Sequence, residues 1–239
     1  MKAVICGANG AMGKLICGIL GQEVVGKVSI DGENGVARTF EELGPVTADV
    51  VVDFSHHSAI TDVLRYAESI GAAAVIGTTG HTEEEKQLIY AAAERIPVFF
   101  SGNMSMGIAV LCRLAREAAR YFPDADIEIV ETHHNRKVAA PSGTAILIAN
   151  AIKEVRKLAN VLVGRSGHGK REAGEIGIQS VRRGNIVGIH EVLVSTNAET
   201  ITLKHEAHSR ALFAEGALAA AEFLCGKPAG FYNMNDMLG

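Results

Sequence analysis

The chain has 239 residues, of which 48% are hydrophobic and 21% charged, and its 23 basic and 27 acidic residues give a formal net charge of −4. High apolar content with a small net charge excludes an intrinsically disordered chain, and the charge balance excludes binding of nucleic acid through overall basicity, so we expect no nucleic-acid partner. No apolar run reaches the ~18 residues that a membrane-spanning helix requires, so we expect a cytoplasmic protein with no membrane partner.

Up to about residue 104, short apolar runs alternate with helix-like stretches. The run Val50-Val51-Val52 is typical of a strand buried on both faces, and Thr82 with Glu85 forms a capping-box pattern at a helix start. The pattern predicts strands over residues 2–6, 24–30, 48–54, 72–76 and 97–100 and helices over residues 14–20, 58–70 and 82–94. Such alternation predicts an α/β domain with a Rossmann-type parallel sheet.

Beyond residue 105 the rhythm changes, because several short strands follow one another without helices between them. The pattern predicts helices over residues 107–121, 144–158 and 211–224 and strands over residues 127–132, 176–181, 186–189, 192–195 and 200–204. Consecutive strands of this kind predict a second, α+β domain with a mixed or antiparallel sheet. We therefore expect domains over residues 1–104, completed by 210–239, and over residues 105–209.

A glycine-rich turn follows the first predicted strand and opens the first predicted helix. Its sequence is Gly7-Ala8-Asn9-Gly10-Ala11-Met12-Gly13. Glycines at this spacing permit a tight turn, close approach to a pyrophosphate and close helix–strand packing, while the helix start offers unpaired amides. A plain structural turn is the alternative, but the position between strand and helix favours a dinucleotide site.

Asp31 ends the second predicted strand, 18 residues beyond Gly13. A carboxylate there can accept hydrogen bonds from the ribose 2′-OH of NADH and repels the 2′-phosphate of NADPH, so we favour NADH over NADPH. A solvated turn residue is the alternative. Two further loops follow strands that should end at the same edge of the sheet, Gly77-Thr78-Thr79-Gly80 and Ser101-Gly102-Asn103-Met104. Either could be an ordinary loop, but together they favour a long ligand across several strand ends.

The densest chemical segment spans residues 131–145. It reads Glu131-Thr132-His133-His134-Asn135-Arg136-Lys137-Val138-Ala139-Ala140-Pro141-Ser142-Gly143-Thr144-Ala145. Ser142 is a natural N-cap, which leaves the amides of Gly143 and Thr144 for an anion. Imidazoles, ammonium and helix amides together predict a site for a small dicarboxylate, with a solvated basic loop as the alternative.

No metal site is expected from this segment or from the cysteines. A strand directs adjacent histidines to opposite sides, and no carboxylate or thiol cluster accompanies them. The cysteines (Cys6, Cys17, Cys112 and Cys225) are dispersed among apolar residues, so we expect buried, inert thiols.

The long histidine segment resembles the signature of the 4-hydroxy-tetrahydrodipicolinate reductase (dihydrodipicolinate reductase) family, E-x-H-H-x-x-K-x-D-A-P-S-G-T-A. The similarity extends to the first glycine turn, Val52-Asp53-Phe54, Gly77–Gly80, Ser209-Arg210 and Gly230-Phe231-Tyr232. The resemblance implies an NAD(P)H-dependent oxidoreductase that reduces 4-hydroxy-tetrahydrodipicolinate to tetrahydrodipicolinate in diaminopimelate and lysine biosynthesis. It also implies a homotetramer built through the sheet of the second domain, which binds the substrate.

The resemblance assigns a role to individual positions. His133 corresponds to the acid/base histidine, Lys137 to the proton donor and His134 to a substrate-binding residue. The other substrate contacts that it implies are Ser142, Gly143, Thr144 and Arg210. The cofactor contacts that it implies are Gly7, Ala8, Asn9, Gly10, Ala11, Met12, Asp31, Gly77, Thr78, Thr79, Ser101, Gly102, Asn103 and Met104.

Two positions depart from the family pattern. Ala139 stands where the family has an aspartate, which removes a carboxylate that could orient Lys137. His56-His57 stands where an Arg-Pro pair is expected. Two alternative functions remain open: another amino-acid or semialdehyde dehydrogenase of similar architecture, and a non-catalytic NAD-binding sensor.

Overall fold

The computed structural model describes residues 1–33 and 35–239, which divide into two units, Met1–Ser105 with Ala211–Gly239 and Met106–Arg210. The strands in chain order are β1 (Ala3–Cys6), β2 (Val24–Val28), β3 (Val50–Asp53), β4 (Ala73–Ile76), β5 (Pro97–Phe100), β6 (Asp126–His133), β7 (Val161–Val163), β8 (Ile176–Arg182), β9 (Gly188–Ser195), β10 (Thr200–Ala207) and β11 (Gly230–Tyr232). The α-helices are α1 (Ala11–Leu20), α2 (Phe40–Leu43), α3 (Ile60–Ser69), α4 (Glu83–Ala93), α5 (Met106–Tyr121), α6 (Gly143–Lys153), α7 (Ala211–Leu224) and α8 (Met234–Leu238).

The first unit contains a six-stranded parallel sheet with the order β11-β5-β4-β3-β1-β2. Strands β1, β3 and β4 are buried at every residue, as strands covered on both faces must be. The order reverses between β1 and β3, so the loops that leave these two strands diverge and open a crevice at the carboxyl edge. The glycine turn, which follows β1, lies at this switch point.

Local sequence determines where the helices of the first unit begin. The Thr82 hydroxyl accepts a hydrogen bond from the Glu85 amide at 3.2 Å, and the Glu85 carboxylate accepts one from the Thr82 amide at 2.8 Å. This confirms the predicted capping box at α4. Gly13 in α1 is required for close packing, because a Cβ there would lie 2.2 Å from the carbonyl oxygen of Gly7.

The second unit contains a five-stranded mixed sheet with the order β10-β9-β6-β8-β7. Strand β6 pairs antiparallel with β9 and parallel with β8, and α5 and α6 pack against one face, which we call the inner face. Since side chains alternate along a strand, Ile127, Ile129, Glu131 and His133 of β6 all lie on the inner face. The first two join the apolar core of the unit, and the last two place charge and an imidazole at its polar end.

The predicted fold class, a parallel-sheet domain plus an α+β domain with a mixed sheet, is confirmed. Individual elements differ. Helix α6 ends at Lys153 instead of residue 158, and Leu158, which extended the apolar pattern, is 96% exposed. A single strand, β9 (Gly188–Ser195), replaces the two predicted strands 186–189 and 192–195. Its inner face carries His190, Val192 and Val194, all of which are buried. Cys225 is exposed, whereas burial was expected.

Candidate active site

A buried carboxylate organises the polar end of the inner face. Glu131 is fully buried, and its oxygens accept hydrogen bonds from both terminal nitrogens of Arg182 at 2.7 and 2.8 Å. They also accept the Ser142 amide at 3.1 Å and lie 2.6 Å from Nδ1 of His133. Burial opposes the charged form, but hydrogen bonds from Arg182, Ser180 and His133 outweigh it and lower the pKa of Glu131 to about 2. Glu131 is therefore ionised at every physiological pH.

Glu131 sets the tautomer of His133. A carboxylate 2.6 Å away can only accept, so Nδ1 of His133 carries the proton and Nε2 the lone pair. Burial lowers the pKa of His133 below its usual range, Glu131 opposes this shift, and Lys137 and Arg182 add to it. His133 is thus a neutral, oriented imidazole at neutral pH.

The start of α6 is held by the same network. The Ser142 hydroxyl accepts the Ala145 amide at 3.1 Å, so Ser142 is the N-cap, as predicted. That hydroxyl also lies 3.1 Å from Nε2 of His190, a buried histidine of β9 whose ring packs edge-on against His133 at 5.2 Å. Among the described residues, no atom outside the helix backbone and the chain neighbours of Gly143 lies within 4 Å of the position of a Cβ there.

Cationic side chains surround His134. Desolvation lowers the pKa of His134, and the charges of Arg136, Arg210, Lys137 and Arg182 lower it further. Its Nδ1 is buried and has no hydrogen-bond partner among residues 1–33 and 35–239. The positive charges that act on His134 fit an anionic ligand.

In the first unit, a cavity of about 520 Å³ lies at the switch point between β1 and β3. Gly7 and Gly10 line it after β1, Ser29 and Ile30 after β2, and Ser55 after β3. Gly7 has a φ of 78°, and a Cβ there would lie 2.3 Å from the Phe54 carbonyl oxygen, so only glycine fits the turn.

The glycine turn, the helix start and the cavity fit a dinucleotide. Helix α1 begins at Ala11, and its N-cap Gly10 provides no side-chain hydrogen bond to the first amides. Those amides and the positive end of the helix dipole are suited to a phosphate. Ala8, Asn9 and Met12, the other predicted contacts of this segment, lie in the turn and in the first turn of α1.

Two side chains of opposite charge follow β2. Asp31 is exposed and accepts a hydrogen bond from the Asn9 side chain at 2.6 Å, which holds the pKa of Asp31 below its usual value. Arg38 lines the 520 Å³ cavity and packs against Gly32, where a Cβ would meet the arginine side chain at 2.3 Å. Arg38 is thus part of the cavity lining, whereas Asp31 is not among the residues that line it.

The other two predicted cofactor loops follow β4 and β5 but do not line the 520 Å³ cavity. Thr78 is buried, and its hydroxyl accepts the Ser55 amide at 2.9 Å, which joins the loops after β3 and β4. Gly77 and Thr79 flank it. After β5, the Ser101 hydroxyl donates to the Asn103 carbonyl at 2.7 Å, Gly102 lies in the bend, and Met104 is buried.

The histidine pair at positions 56 and 57 also lies in the first unit. His56 lines the cavity, its Nδ1 accepts the Ser58 amide at 3.3 Å, and its ring centroid lies 4.2 Å from that of His57. Nδ1 of His57 lies 2.9 Å from the Glu85 carboxylate. Across the described part of the chain, no group of three or more histidine, cysteine, aspartate or glutamate side chains could hold a metal ion.

Comparison with known proteins assigns both parts of the chain to the same family. A family model described as dihydrodipicolinate reductase, N-terminus, matches residues 1–104, and one described as dihydrodipicolinate reductase, C-terminus, matches residues 107–238. This chain belongs to the dihydrodipicolinate reductase family. The predicted resemblance is thereby confirmed.

Relatives within the dihydrodipicolinate reductase family match over their full length. The 4-hydroxy-tetrahydrodipicolinate reductase of Alkaliphilus metalliredigens (strain QYMF) is 43% identical over 244 residues, which cover 100% of this chain and 99% of the relative. The enzyme of the same name from Clostridium tetani (strain Massachusetts / E88) is 41% identical, with coverage of 100% and 97%.

Solved structures share the fold. Dipicolinate-bound dihydrodipicolinate reductase from Paenisporosarcina sp. TG-14 has a TM-score of 0.76 at 23% identity, covering 98% of each chain. An amine dehydrogenase from Mycobacterium smegmatis has a TM-score of 0.62 at 13% identity, covering 99% of this chain and 95% of that one. At these identities the likeness concerns the fold alone.

Sequence reasoning assigned no role to three residues of the network around His133. Glu131 belongs to the recognised segment, and the alternation Ile127, Ile129, Glu131 places it in the buried register. Arg182 pairs with His133 across β6 and β8, and His190 with Glu131 across β6 and β9, contacts that only the strand register reveals. A carboxylate in a buried register was the signal available in the sequence, since such a group requires charged partners.

Proposed function

We propose that this chain reduces 4-hydroxy-tetrahydrodipicolinate to tetrahydrodipicolinate for diaminopimelate and lysine biosynthesis in the cytoplasm. The chain is an NAD(P)H-dependent oxidoreductase by family. The observation that carries the substrate assignment is the match of the family models to both parts of the chain. The positive charges of Arg136, Arg210, Lys137 and Arg182, which act on His134, support it. A cyclic dicarboxylate presents two carboxylates, and this site offers an imidazole, cations and helix amides to receive them.

The residues of the second unit have separate tasks in this proposal. The amides of Gly143 and Thr144, with the Ser142 cap, bind one carboxylate, and His134 and Arg210 bind the other. The net reaction adds a hydride and a proton and releases the 4-hydroxyl group as water. Lys137 donates the proton, and its positive charge stabilises the negative charge that develops on the ring. His133, neutral and oriented by Glu131, is the acid/base imidazole through Nε2.

The reduced nicotinamide supplies the hydride when it is bound. Gly7, Gly10 and the start of α1 would hold its diphosphate, and the loops at 77–79 and 101–104 its nicotinamide half. We propose that NADH is preferred, because the ionised Asp31 carboxylate repels a 2′-phosphate, although Arg38 lessens the difference.

We propose a homotetramer formed through the outer face of the second sheet, the face opposite α5 and α6. Val130 of β6 and Leu193 of β9 are half-buried on this face, and Val181 of β8 is 38% exposed there. Exposed apolar side chains on a sheet face favour burial against another copy. Sedimentation should give the mass of four 25.2 kDa chains, and a monomer at micromolar concentration would contradict the assembly.

The test is turnover of substrate that is generated in situ by coupled synthesis. We expect a substrate-dependent loss of NADH absorbance near ~340 nm. Turnover of aspartate semialdehyde instead would identify another dehydrogenase, and tight NADH binding without turnover would identify a sensor. Titration with NADH and NADPH tests the cofactor assignment. Tenfold tighter binding of NADPH, a difference of about 1.4 kcal/mol in binding free energy, would contradict it.

A further inference from the structure

Arg182 joins the buried Glu131 carboxylate to the loop that carries Lys137. One terminal nitrogen of the guanidinium donates to Glu131 at 2.7 Å and to the Ala139 carbonyl oxygen at 2.6 Å. The other donates to Glu131 at 2.8 Å. A single guanidinium on β8 therefore fixes the distance between strand β6 and residue 139, because its nitrogens are held in one rigid plane.

The loop over residues 134–141 is held at both ends. Its start is held by main-chain hydrogen bonds, from the His134 amide to the Ile186 carbonyl at 2.8 Å and from the Asn135 amide to the Gly184 carbonyl at 3.2 Å. Its end is held by Arg182, and the next residue after the loop, Ser142, donates its amide to Glu131. Lys137 lies between these two attachments.

The contact at position 139 uses the main chain. Arg182 binds the carbonyl oxygen of Ala139, an atom that every residue has, and the Ala139 side chain is exposed. The loop end is therefore attached without the aspartate that the family pattern has at this position. The attachment depends instead on Arg182 and on the carboxylate that holds Arg182 in place.

We propose that Glu131 and Arg182 are positioning residues for the dicarboxylate site. Glu131 orients His133 and the start of α6 directly, and it orients the Lys137 loop through Arg182. This inference rests on the proposed function, because it concerns how that reaction's substrate is received. Neither residue needs to touch the substrate, and loss of either should misplace the groups that do.

The test compares Glu131→Gln and Arg182→Lys with wild type, using dipicolinate as the probe of the site. The control is Glu154→Gln, which also removes a Glu–Arg ion pair of the second unit, with Arg116 at 2.8 Å, but at the C-terminal end of α6. Calorimetry measures dipicolinate affinity, fluorescence measures NADH affinity, and steady-state assays give kcat and KM.

We expect Glu131→Gln and Arg182→Lys to weaken dipicolinate binding and raise KM for the substrate by about tenfold or more. NADH affinity should stay within about twofold of wild type, because the nucleotide site lies in the first unit. Glu154→Gln should resemble wild type in every measurement. Arg182→Lys keeps the positive charge beside Glu131, so it carries the binding test alone if Glu131→Gln does not fold.

A spectroscopic readout separates positioning from general destabilisation. Nitrogen-15 NMR of labelled histidines should show His133 with its proton on Nδ1 in wild type. In Glu131→Gln the amide can donate to Nδ1, so the proton should move toward Nε2.

The outcomes distinguish the two proposals. Absence of turnover by the wild type would contradict the proposed function. An active wild type, with both variants binding dipicolinate as wild type does and with Glu131→Gln keeping the Nδ1 proton on His133, would overturn the positioning role.

Discussion

The hydroxyl of Ser142 lies 3.1 Å from Nε2 of His190, so the N-cap of α6 contacts a buried histidine of β9. Burial lowers the pKa of His190 to about 4, and the neighbouring His133 lowers it as well. His190 is therefore neutral over the physiological range. The N-cap of α6 therefore contacts an imidazole that the fold keeps uncharged.

Acid should destabilise the protein through His190. Because its pKa is about 4 in the folded chain and near 6.5 when unfolded, the unfolded state takes up a proton first as pH falls. The contribution of neutral His190 to the free energy of unfolding is fully present above pH 6.5. It is lost progressively as the pH falls from 6.5 to 4, by about 3 kcal/mol in all. Urea unfolding at pH 7 and pH 4.5 measures it. His190→Gln should lose less stability over that interval than wild type, and equal losses would contradict this assignment.

Removal of the α6 cap should affect both stability and substrate affinity. Ser142→Ala deletes the oxygen that accepts the Ala145 amide, at a cost of about 1 kcal/mol in the free energy of unfolding. Dipicolinate binding should weaken as well, because we propose that amides of the first turn receive a carboxylate. Thr82→Ala removes the equivalent cap of α4 and is the control. Its stability should fall similarly while dipicolinate affinity is unchanged, and an unchanged affinity in Ser142→Ala would disprove the role of this helix start.

Much of the fold follows from local patterns in the sequence. The buried runs gave β1, β3, β4 and β5 to within two residues, and Thr82 with Glu85 gave the start of α4, because these signals act within a few residues. Strands β7 and β11, three residues each, were not predicted. Such short strands form because a neighbouring strand provides hydrogen-bond partners. The local sequence does not indicate which strand will be the neighbour.

The site was predictable only where residues are adjacent in sequence. The segment from Glu131 to Ala145 contains the histidines, Lys137 and the cap, so one motif revealed them together. Arg182 and His190 lie 51 and 59 residues beyond Glu131, and the register of β8 and β9 brings them to it. Which side chains from separate strands come into contact depends on the order of the strands in the sheet. Sequence patterns do not determine that order.

Lys137→Ala should lower kcat while leaving the cofactor site intact. Without the ammonium, the developing negative charge has no proton donor at this position, and we expect kcat to fall by about 10²–10⁴-fold. Lys157→Ala, an exposed lysine beyond α6 in the same unit, is the control and should keep full activity. Stopped-flow and fluorescence titration measure turnover and NADH affinity. An equal loss of NADH binding would show that Lys137 serves the nucleotide or the fold.

Asp31→Ser should shift nucleotide preference toward NADPH. Removal of the carboxylate ends its repulsion of a 2′-phosphate while Arg38 remains in the cavity, so the ratio of NADPH to NADH affinity should rise about tenfold. Glu33→Ser removes an exposed carboxylate two residues away and should leave the ratio near that of wild type. If both variants change the ratio of NADPH to NADH affinity equally, the change results from the overall charge of the protein and Asp31 has no specific role.

The most direct test is a crystal structure of the chain with dipicolinate, which shows whether the ligand binds at the polar end of the inner face of the second unit. We predict one carboxylate on the amides of Gly143 and Thr144 and the other beside His134, with Glu131 still bonded to Arg182. Dipicolinate bound at full occupancy elsewhere, with His134 and the amides of Gly143 and Thr144 exposed to solvent, would contradict the proposed dicarboxylate site.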